Sequence, residues 1–335
     1  MPALYGHTGG LDMRRHSARR QTVRGVWLFG FVALASLITY QQANAQLAYQ
    51  TGQNVSPAFE GWEANEDGSF NMVFGYMNRN WLEQVDVPVG IENNISPGPA
   101  DQGQPTHLLP RRNRYVFKVR VPADFGEKEL VWTLTTKGKT EAAYGTLQLD
   151  YRLDYMVIAS ETGALGFGIS TEASRANRPP TITLVGDTHR TTTVGQTVTL
   201  VAHITDDGLP QVRPRRPPRE SDEPPKLTRA QLSPPVRFTV QKVNGMHLSW
   251  FVFRGENDVM FDPPQIKTWE DTRVGANSPW SPLFSMPEAP ESGEWTVQVT
   301  FDEPGTYVLR GRADDGGLYH DTDVTITVTP ATAFQ

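Results

Sequence analysis

The chain has 335 residues, a net charge of −6 and no cysteine. The absence of cysteine excludes disulfides, thiolate metal sites, cysteine nucleophiles and a lipid-anchored N-terminal cysteine. The acidic balance argues against nucleic acid and anionic lipid as partners.

Residues 1–45 are predicted to be a signal peptide. Five arginines precede an apolar run from Val26 to Tyr40, and Ala43-Asn44-Ala45 supplies the small residues of a cleavage site. The run is shorter than the about 20 apolar residues that span a bilayer, so we expect no stable membrane insertion after cleavage. Removing five arginines and one aspartate takes the net charge from −6 to −10. The protein is therefore predicted to be exported, to the periplasm or the cell exterior.

Residues 46–160 are predicted to form a β-sandwich domain. Apolar and polar residues alternate in segments that begin near Phe70, Tyr115 and Leu130, which is the pattern of half-buried strands. Asp67-Gly68 predicts a hairpin turn ahead of the first segment. Five to seven short strands over about 110 residues are typical of a sandwich.

The end of this domain contains a further turn and a change in composition. Lys137-Gly138-Lys139 predicts a tight turn, followed by another strand through Leu147, Leu149 and Tyr151. Residues 161–178 are mostly small and polar, and are predicted to be a linker. The remainder of the chain is long enough for a second domain with its own core.

Residues 179–330 have the turn and strand pattern of an immunoglobulin-like domain. Its characteristic segments are Pro179-Pro180, Val194-Gly195-Gln196, Asp206-Asp207-Gly208, Leu248-Ser249-Trp250 and Pro304-Gly305-Thr306-Tyr307. On these segments the domain resembles the immunoglobulin-like PKD and cadherin-like modules of bacterial surface proteins. The resemblance implies a sandwich with Trp250 in its core and Tyr307 as a corner tyrosine whose hydroxyl reaches the backbone. The calcium linker of cadherins and the Trp-Asp-Phe-Gly-Asp-Gly motif of PKD modules are missing, so no ligand chemistry carries over.

A proline- and arginine-rich insert interrupts the second domain at residues 209–235. Proline at this density removes backbone donors and fixes φ, which prevents pairing in a sheet. The insert is therefore predicted to be a solvated excursion with polyproline-like backbone.

Carboxylates are predicted to gather at one pole of the second domain. Two strands that run in the same direction end there, so their exit loops lie together. The loop residues are Asp206, Asp207, Asp314 and Asp315, with Asp321 and Asp323 on the returning strand. Clustered carboxylates favour a hard cation, so a Ca²⁺ site is one interpretation of this pole. The alternatives are ordinary Asp-Gly turn chemistry and neutralisation by arginines of the insert.

Loops of the first domain combine amides, acids and aromatic rings, which suits recognition of a sugar or a peptide. The candidate ligand-binding residues are Tyr76, Asn78, Asn80, Trp81, Asn93, Asn94 and Asp101. The alternative is that the asparagines build turns while Trp81 is buried.

The chain contains no Gly-x-Ser-x-Gly, His-Glu-x-x-His or glycine-rich phosphate motif. The sequence therefore predicts an exported, non-catalytic binding or structural module whose loops meet a glycan or a protein partner. One alternative is a hydrolase, or an accessory domain of a carbohydrate-active system, with an acid/base pair in the first domain. The other is a subunit of a surface assembly that binds through exposed sheet edges.

Overall fold

The computed structural model describes residues 50–162, 170–211, 245–256, 259–270 and 287–331. Within these ranges lie sixteen β-strands and two short α-helices, which confirms the predicted all-β class. The predicted signal peptide and most of the insert at 209–235 lie outside the described residues. None of the helices in the described ranges is long and apolar enough to cross a membrane.

The first sandwich contains two three-stranded antiparallel sheets, in the orders β1-β2-β6 and β4-β7-β8, and a small pair formed by β3 and β5. The strands are β1 Val55–Ala64, β2 Phe70–Asn78, β3 Val85–Asp86, β4 Asn93–Ser96, β5 His107–Leu108, β6 Arg111–Val121, β7 Leu130–Thr136 and β8 Lys139–Gly145. Alternate residues of β7 are buried, as the sequence pattern requires. Trp132 of β7 packs edge-on against Phe117 and Phe74 of the facing sheet, and these three rings occupy the centre of the core.

The predicted strand through Leu147, Leu149 and Tyr151 is wrong. β8 ends at Gly145, and residues Leu149–Tyr151 form a turn of 3₁₀-helix in which Leu149 is largely exposed. The segment instead crosses the outer edge of β1, where the Leu153 amide donates to the Trp62 carbonyl. A Cβ atom at Gly61 would lie 2.3 Å from the Tyr151 carbonyl oxygen, so the crossing requires glycine there.

The second sandwich has two four-stranded sheets, in the orders β10-β16-β15-β12 and β13-β14-β11-β9. Its strands are β9 Thr181–Leu184, β10 His189–Thr193, β11 Val198–Thr205, β12 His247–Arg254, β13 Val259–Asp262, β14 Glu294–Phe301, β15 Gly305–Asp314 and β16 Tyr319–Thr329. Trp250 lies in the core, and the Tyr307 hydroxyl donates to the Glu303 carbonyl at 3.0 Å. The predicted immunoglobulin-like fold, with its corner tyrosine, is confirmed.

Two short helices follow the first sandwich. Helix α1, Tyr155–Glu161, begins after Asp154, whose carboxylate accepts from the Val157 amide at 2.8 Å. Helix α2, Glu172–Ala176, lies within the predicted linker at 161–178. Ile158 and Ala159 of α1 pack with Leu153 of the first sandwich and Leu318 of the second. The helix thus contributes apolar contact to both sandwiches.

The two sandwiches are joined along β6, which is an edge strand of its sheet. Between the pairs Phe74–Phe117 and Tyr76–Asn113, three residues of β6 stand opposite the single residue Gly75. This bulge leaves backbone carbonyls without a partner strand. Arg312 donates to the carbonyls of Arg114 (3.3 Å) and Tyr115 (2.8 Å), and Arg310 donates to that of Val116.

Lys267 continues the same row of contacts. Its Nζ donates to the carbonyls of Pro110 (2.6 Å) and Arg112 (3.0 Å). We call the five carbonyls of residues 110, 112, 114, 115 and 116 the β6 carbonyl row. Three cationic side chains of the second sandwich therefore donate hydrogen bonds to backbone carbonyls along an edge strand of the first.

The arginines of this interface are neutralised across strands β15 and β16. Arg310 forms two hydrogen bonds of 2.7 Å with Asp323, and Arg312 forms bonds of 2.7 and 2.8 Å with Asp321. Each pair stands directly opposite in the β15–β16 register. Asp321 and Asp323 therefore pair with the arginines of the interface. The prediction that they lie with the four loop aspartates at the acidic pole is wrong. Burial alone would raise the pKa of Asp321, but the adjacent Arg312 guanidinium holds that pKa below its usual value.

Replacing Arg312 with Met should lower the free energy of unfolding by about 3 kcal/mol, because it leaves two carbonyls without a donor and removes the cation closest to the partly buried Asp321. Arg312 is only 3% exposed. Urea unfolding of the full chain measures the change. Arg175→Met, at an exposed helical position, is the matched control and should stay within about 0.5 kcal/mol of the parent. A loss no larger than the control's would show that the interface does not depend on Arg312.

Candidate functional site

The four predicted calcium ligands mostly bind their own loops. Asp206 accepts from the Gly208 amide, and Asp207 accepts from the amides of Leu209 and Arg178. Asp314 and Asp315 accept from amides of residues 316–318. These contacts are those of ordinary Asp-Gly turns. The described residues contain no group of three or more His, Asp or Glu side chains that could hold a metal ion, and calcium binding stays a prediction.

Asp315 lies in a more buried setting than the two aspartates at positions 206 and 207. The residue is 3% exposed, and its Oδ1 accepts from the amides of Gly317 and Leu318. Burial raises the pKa of Asp315 to about 7, and the neighbouring Asp314 adds to the shift. The carboxyl is therefore substantially protonated near neutral pH.

The predicted loop residues of the first sandwich occupy different places. Asn78, Asn80 and Asn93 are fully buried and hydrogen-bond to backbone groups. Asn94 donates to the Ile91 carbonyl at 2.9 Å within its own loop. Asp101 forms a two-bond ion pair with Arg254 of the second sandwich, at 2.7 and 3.0 Å. The structure does not bring these four asparagines and Asp101 together in one cavity.

Trp81 lies on a pocket of about 350 Å³ that opens between the two sandwiches. Most of the wall is aromatic or apolar, and we call it the aromatic pocket. Its main apolar lining residues are Trp81, Leu82, Leu109, Phe251, Phe261 and Trp269. This volume is in the range of sites for small ligands.

Buried polar residues hold the wall that the first sandwich contributes. The Tyr76 hydroxyl accepts from the Leu109 amide at 2.8 Å, and Asn78 donates to the carbonyls of Glu83 and Leu108. His107, which also lines the pocket, is fixed between Asp86 on Nδ1 (2.6 Å) and Gln84 on Nε2 (2.5 Å). Tyr76 and Asn78, predicted as ligand contacts, thus support the loops that carry Trp81 and Leu109.

The wall from the second sandwich combines rings with donors. The rings of Phe251 and Trp269 lie 5.3 Å apart, and Trp269 Nε1 donates to Asn113 Oδ1 at 3.1 Å. Ser249, Gln265 and Lys267 add a hydroxyl, an amide and an amine to the lining. No aspartate or glutamate is among the described residues that line this pocket.

Lys267 is in an unusual electrostatic setting. Burial lowers the pKa of Lys267 to about 7; the charge of Glu270 opposes this shift, and nearby arginines add to it. Nothing in the sequence around Lys267 marks it as a site residue, because it lies in an irregular segment between β13 and β14. Only its position beside β6 brings it to the pocket.

A larger cleft of about 990 Å³ also lies between the sandwiches, further along β6. Four acids line it, and each has a partner. Glu63 pairs with Lys118 at 2.6 Å and Asp154 caps helix α1, while Asp321 and Asp323 bind the interface arginines. The cleft is therefore a second cavity whose acids are already engaged.

No family model matches the chain, and no curated protein matches it. Similar solved structures include the PKD domain of human KIAA0319, at 14% identity over 50% of this chain and 96% of that one, with a TM-score of 0.21. Domains 4 and 5 of the S-layer protein SbsC align at 10% identity over 61% and 66%, with a TM-score of 0.19. The titin tandem A164-A165 aligns at 7% over 83% and 100%, with a TM-score of 0.21. Similarity at this level carries no information about function.

Replacing Asp315 with Asn should stabilise the protein at pH 8 and change little at pH 4. The folded state raises the pKa of Asp315 from 3.8 to about 7. The protonated carboxyl therefore contributes its full stability below pH 3.8, and this contribution is lost as the pH rises from 3.8 to about 7. Asn resembles the protonated carboxyl and does not ionise, so the variant keeps the contribution at pH 8. Thermal melting from pH 4 to 8 measures the effect, with exposed Asp150→Asn as control.

The same melts, repeated with Ca²⁺ added, test calcium binding. A Ca²⁺ ion held by Asp206, Asp207, Asp314 and Asp315 would raise the melting midpoint of the parent protein at pH 8 but not that of Asp315→Asn. A parent and variant with parallel pH profiles would contradict the assignment of a raised pKa to Asp315.

Proposed function

We propose that the protein is an exported, non-catalytic module that binds a sugar residue of a glycan in the aromatic pocket. The observation that carries this proposal is the lining of the pocket, with indole and phenyl rings from both sandwiches beside hydroxyl, amide and amine groups. Aromatic faces stack on the apolar faces of sugar rings, and the polar groups pair with sugar hydroxyls.

The construction of the pocket favours a preformed site. Trp81 and Leu109 come from loops of the first sandwich, while Phe251 and Trp269 come from the second. Lys267 lines the pocket and also donates to the β6 carbonyl row, so the interface and the pocket share a residue. A pocket held by such contacts loses little conformational freedom on binding.

The acids of the two cavities support a role in binding over one in hydrolysis. Most glycoside hydrolases need two carboxylates that flank the scissile bond. The aromatic pocket has no carboxylate in its described lining, and the four acids of the larger cleft bind lysine, arginine or a helix amide.

A surface assembly through the edges of β1 or β6 finds little support in this structure. The β6 edge is bound by Arg310, Arg312 and Lys267, and residues 148–153 cross the edge of β1. These two edges are therefore not open for addition of a strand.

Binding of glycans to the full chain, first on a glycan array and then by calorimetry, tests the proposal. Trp81→Ala should weaken binding of a positive glycan by at least about tenfold, because it removes an aromatic wall of the pocket. Tyr144→Ala is the matched control, since it removes an exposed aromatic ring of β8 and should leave affinity unchanged. An equal loss in both variants, or the absence of any glycan ligand, would sink the proposal.

A further inference from the structure

We infer that the sugar held in the aromatic pocket carries a carboxylate, as a hexuronic acid residue does. This inference rests on the proposed function and narrows the class of glycan. It follows from two independent features of the pocket, which are buried polar groups without partners and an excess of positive charge.

Three polar groups lack hydrogen-bond partners: those of the lining residues Ser249 and Trp250, and that of Arg111, which lies beside the lining residue Trp81. Ser249 lines the pocket and is 1% exposed, and its Oγ has no partner. Arg111 stacks its guanidinium 4.2 Å over the Trp81 ring, and its buried Nε also has no partner. Buried polar groups are rarely left unpaired, since each such group costs about 1–3 kcal/mol. The Ser249 hydroxyl, the Trp250 indole and the Arg111 guanidinium can all donate, so a ligand rich in acceptors complements them.

The charges around the pocket also favour an anion. Lys267 is surrounded by Arg111, Arg112 and Arg312, while Glu270 is the acid that acts on it. Arg112 is paired with Glu60 at 2.7 Å, and Arg312 is paired with Asp321. Among the residues that the structure describes, Lys267 and Arg111 therefore face one carboxylate, that of Glu270. A second carboxylate, brought by the ligand, would balance the charge.

Lys267 has a free donor for this group. Its two hydrogen bonds to the Pro110 and Arg112 carbonyls use two of the three ammonium protons. A carboxylate has about four acceptor sites, enough for this proton together with the Ser249 hydroxyl. Charge-assisted bonds of this kind are about twice as strong as neutral ones. A neutral hexose offers only a hydroxymethyl group at the same ring position.

Glucuronate and glucose are a matched pair of probes, because they differ only in the group at C6. We expect the full chain to bind glucuronate at least tenfold more tightly than glucose in calorimetric titrations at low salt and pH 6, where Lys267 is charged. Oligomers of each sugar, run in parallel, distinguish a free acid from a residue within a glycan. Added salt should weaken the binding of glucuronate and leave the binding of glucose nearly unchanged.

Ser249→Ala should weaken glucuronate binding by about tenfold and glucose binding much less, since it removes a bond to a charged group. Ser160→Ala, at an exposed position of helix α1, is the control and should change neither affinity. Arg111→Gln is the second variant and should also reduce the preference for the acid.

The outcomes separate this inference from the proposed function. Equal affinity for the acidic and neutral sugars, with both affinities reduced by Trp81→Ala, would overturn the inference and keep a sugar-binding pocket. Binding of neither sugar in monomeric or oligomeric form would overturn the inference, and the absence of any ligand on the glycan array would overturn the proposed function as well. A preference for glucuronate that Ser249→Ala and Arg111→Gln leave unchanged would place the acid elsewhere and would also contradict the inference.

Discussion

The arrangement of the two sandwiches depends on five backbone carbonyls, that of Pro110 and four of β6, which have cationic donors instead of a partner strand. The bulge opposite Gly75 turns residues 114–116 away from β2, and the second sandwich supplies Arg310 and Arg312 to their carbonyls. Lys267 supplies the donor further along the strand. An edge strand that would otherwise be open becomes the place where the two domains meet.

Buried cations are tolerated here because each arginine has a carboxylate opposite it and a ring beside it. Arg312 lies 4.2 Å from the Tyr319 ring centroid and 5.0 Å from that of Trp269. The planar guanidinium can stack and bind a carboxylate with two bonds at once, which an ammonium cannot do. Trp269 contacts Arg312 at the interface and also forms a wall of the aromatic pocket. The contacts that join the sandwiches therefore also set the shape of the pocket.

The sequence predicted features that depend on neighbours along the chain, and missed those that depend on register between distant segments. Alternation located β2, β6 and β7, and the corner tyrosine was placed correctly. Arg310 and Arg312 alternate on one strand and Asp321 and Asp323 on the next, but only the paired register shows that they neutralise one another. Trp81 was a predicted ligand contact, whereas Ser249 and Lys267 reach the same pocket from segments more than 160 residues later. Their sequence surroundings contain no site motif.

Hydrogen exchange of the full chain in increasing urea tests most directly whether the β6 carbonyl row makes the two sandwiches one cooperative unit. Peptides from β2 and β7 report on the first sandwich, and peptides from β11 and β14 report on the second. The account predicts that both sets lose protection over the same range of urea, and that Arg310→Met combined with Arg312→Met separates them. Two separate transitions in the parent protein would contradict it, because the sandwiches would then unfold independently of the contacts along β6.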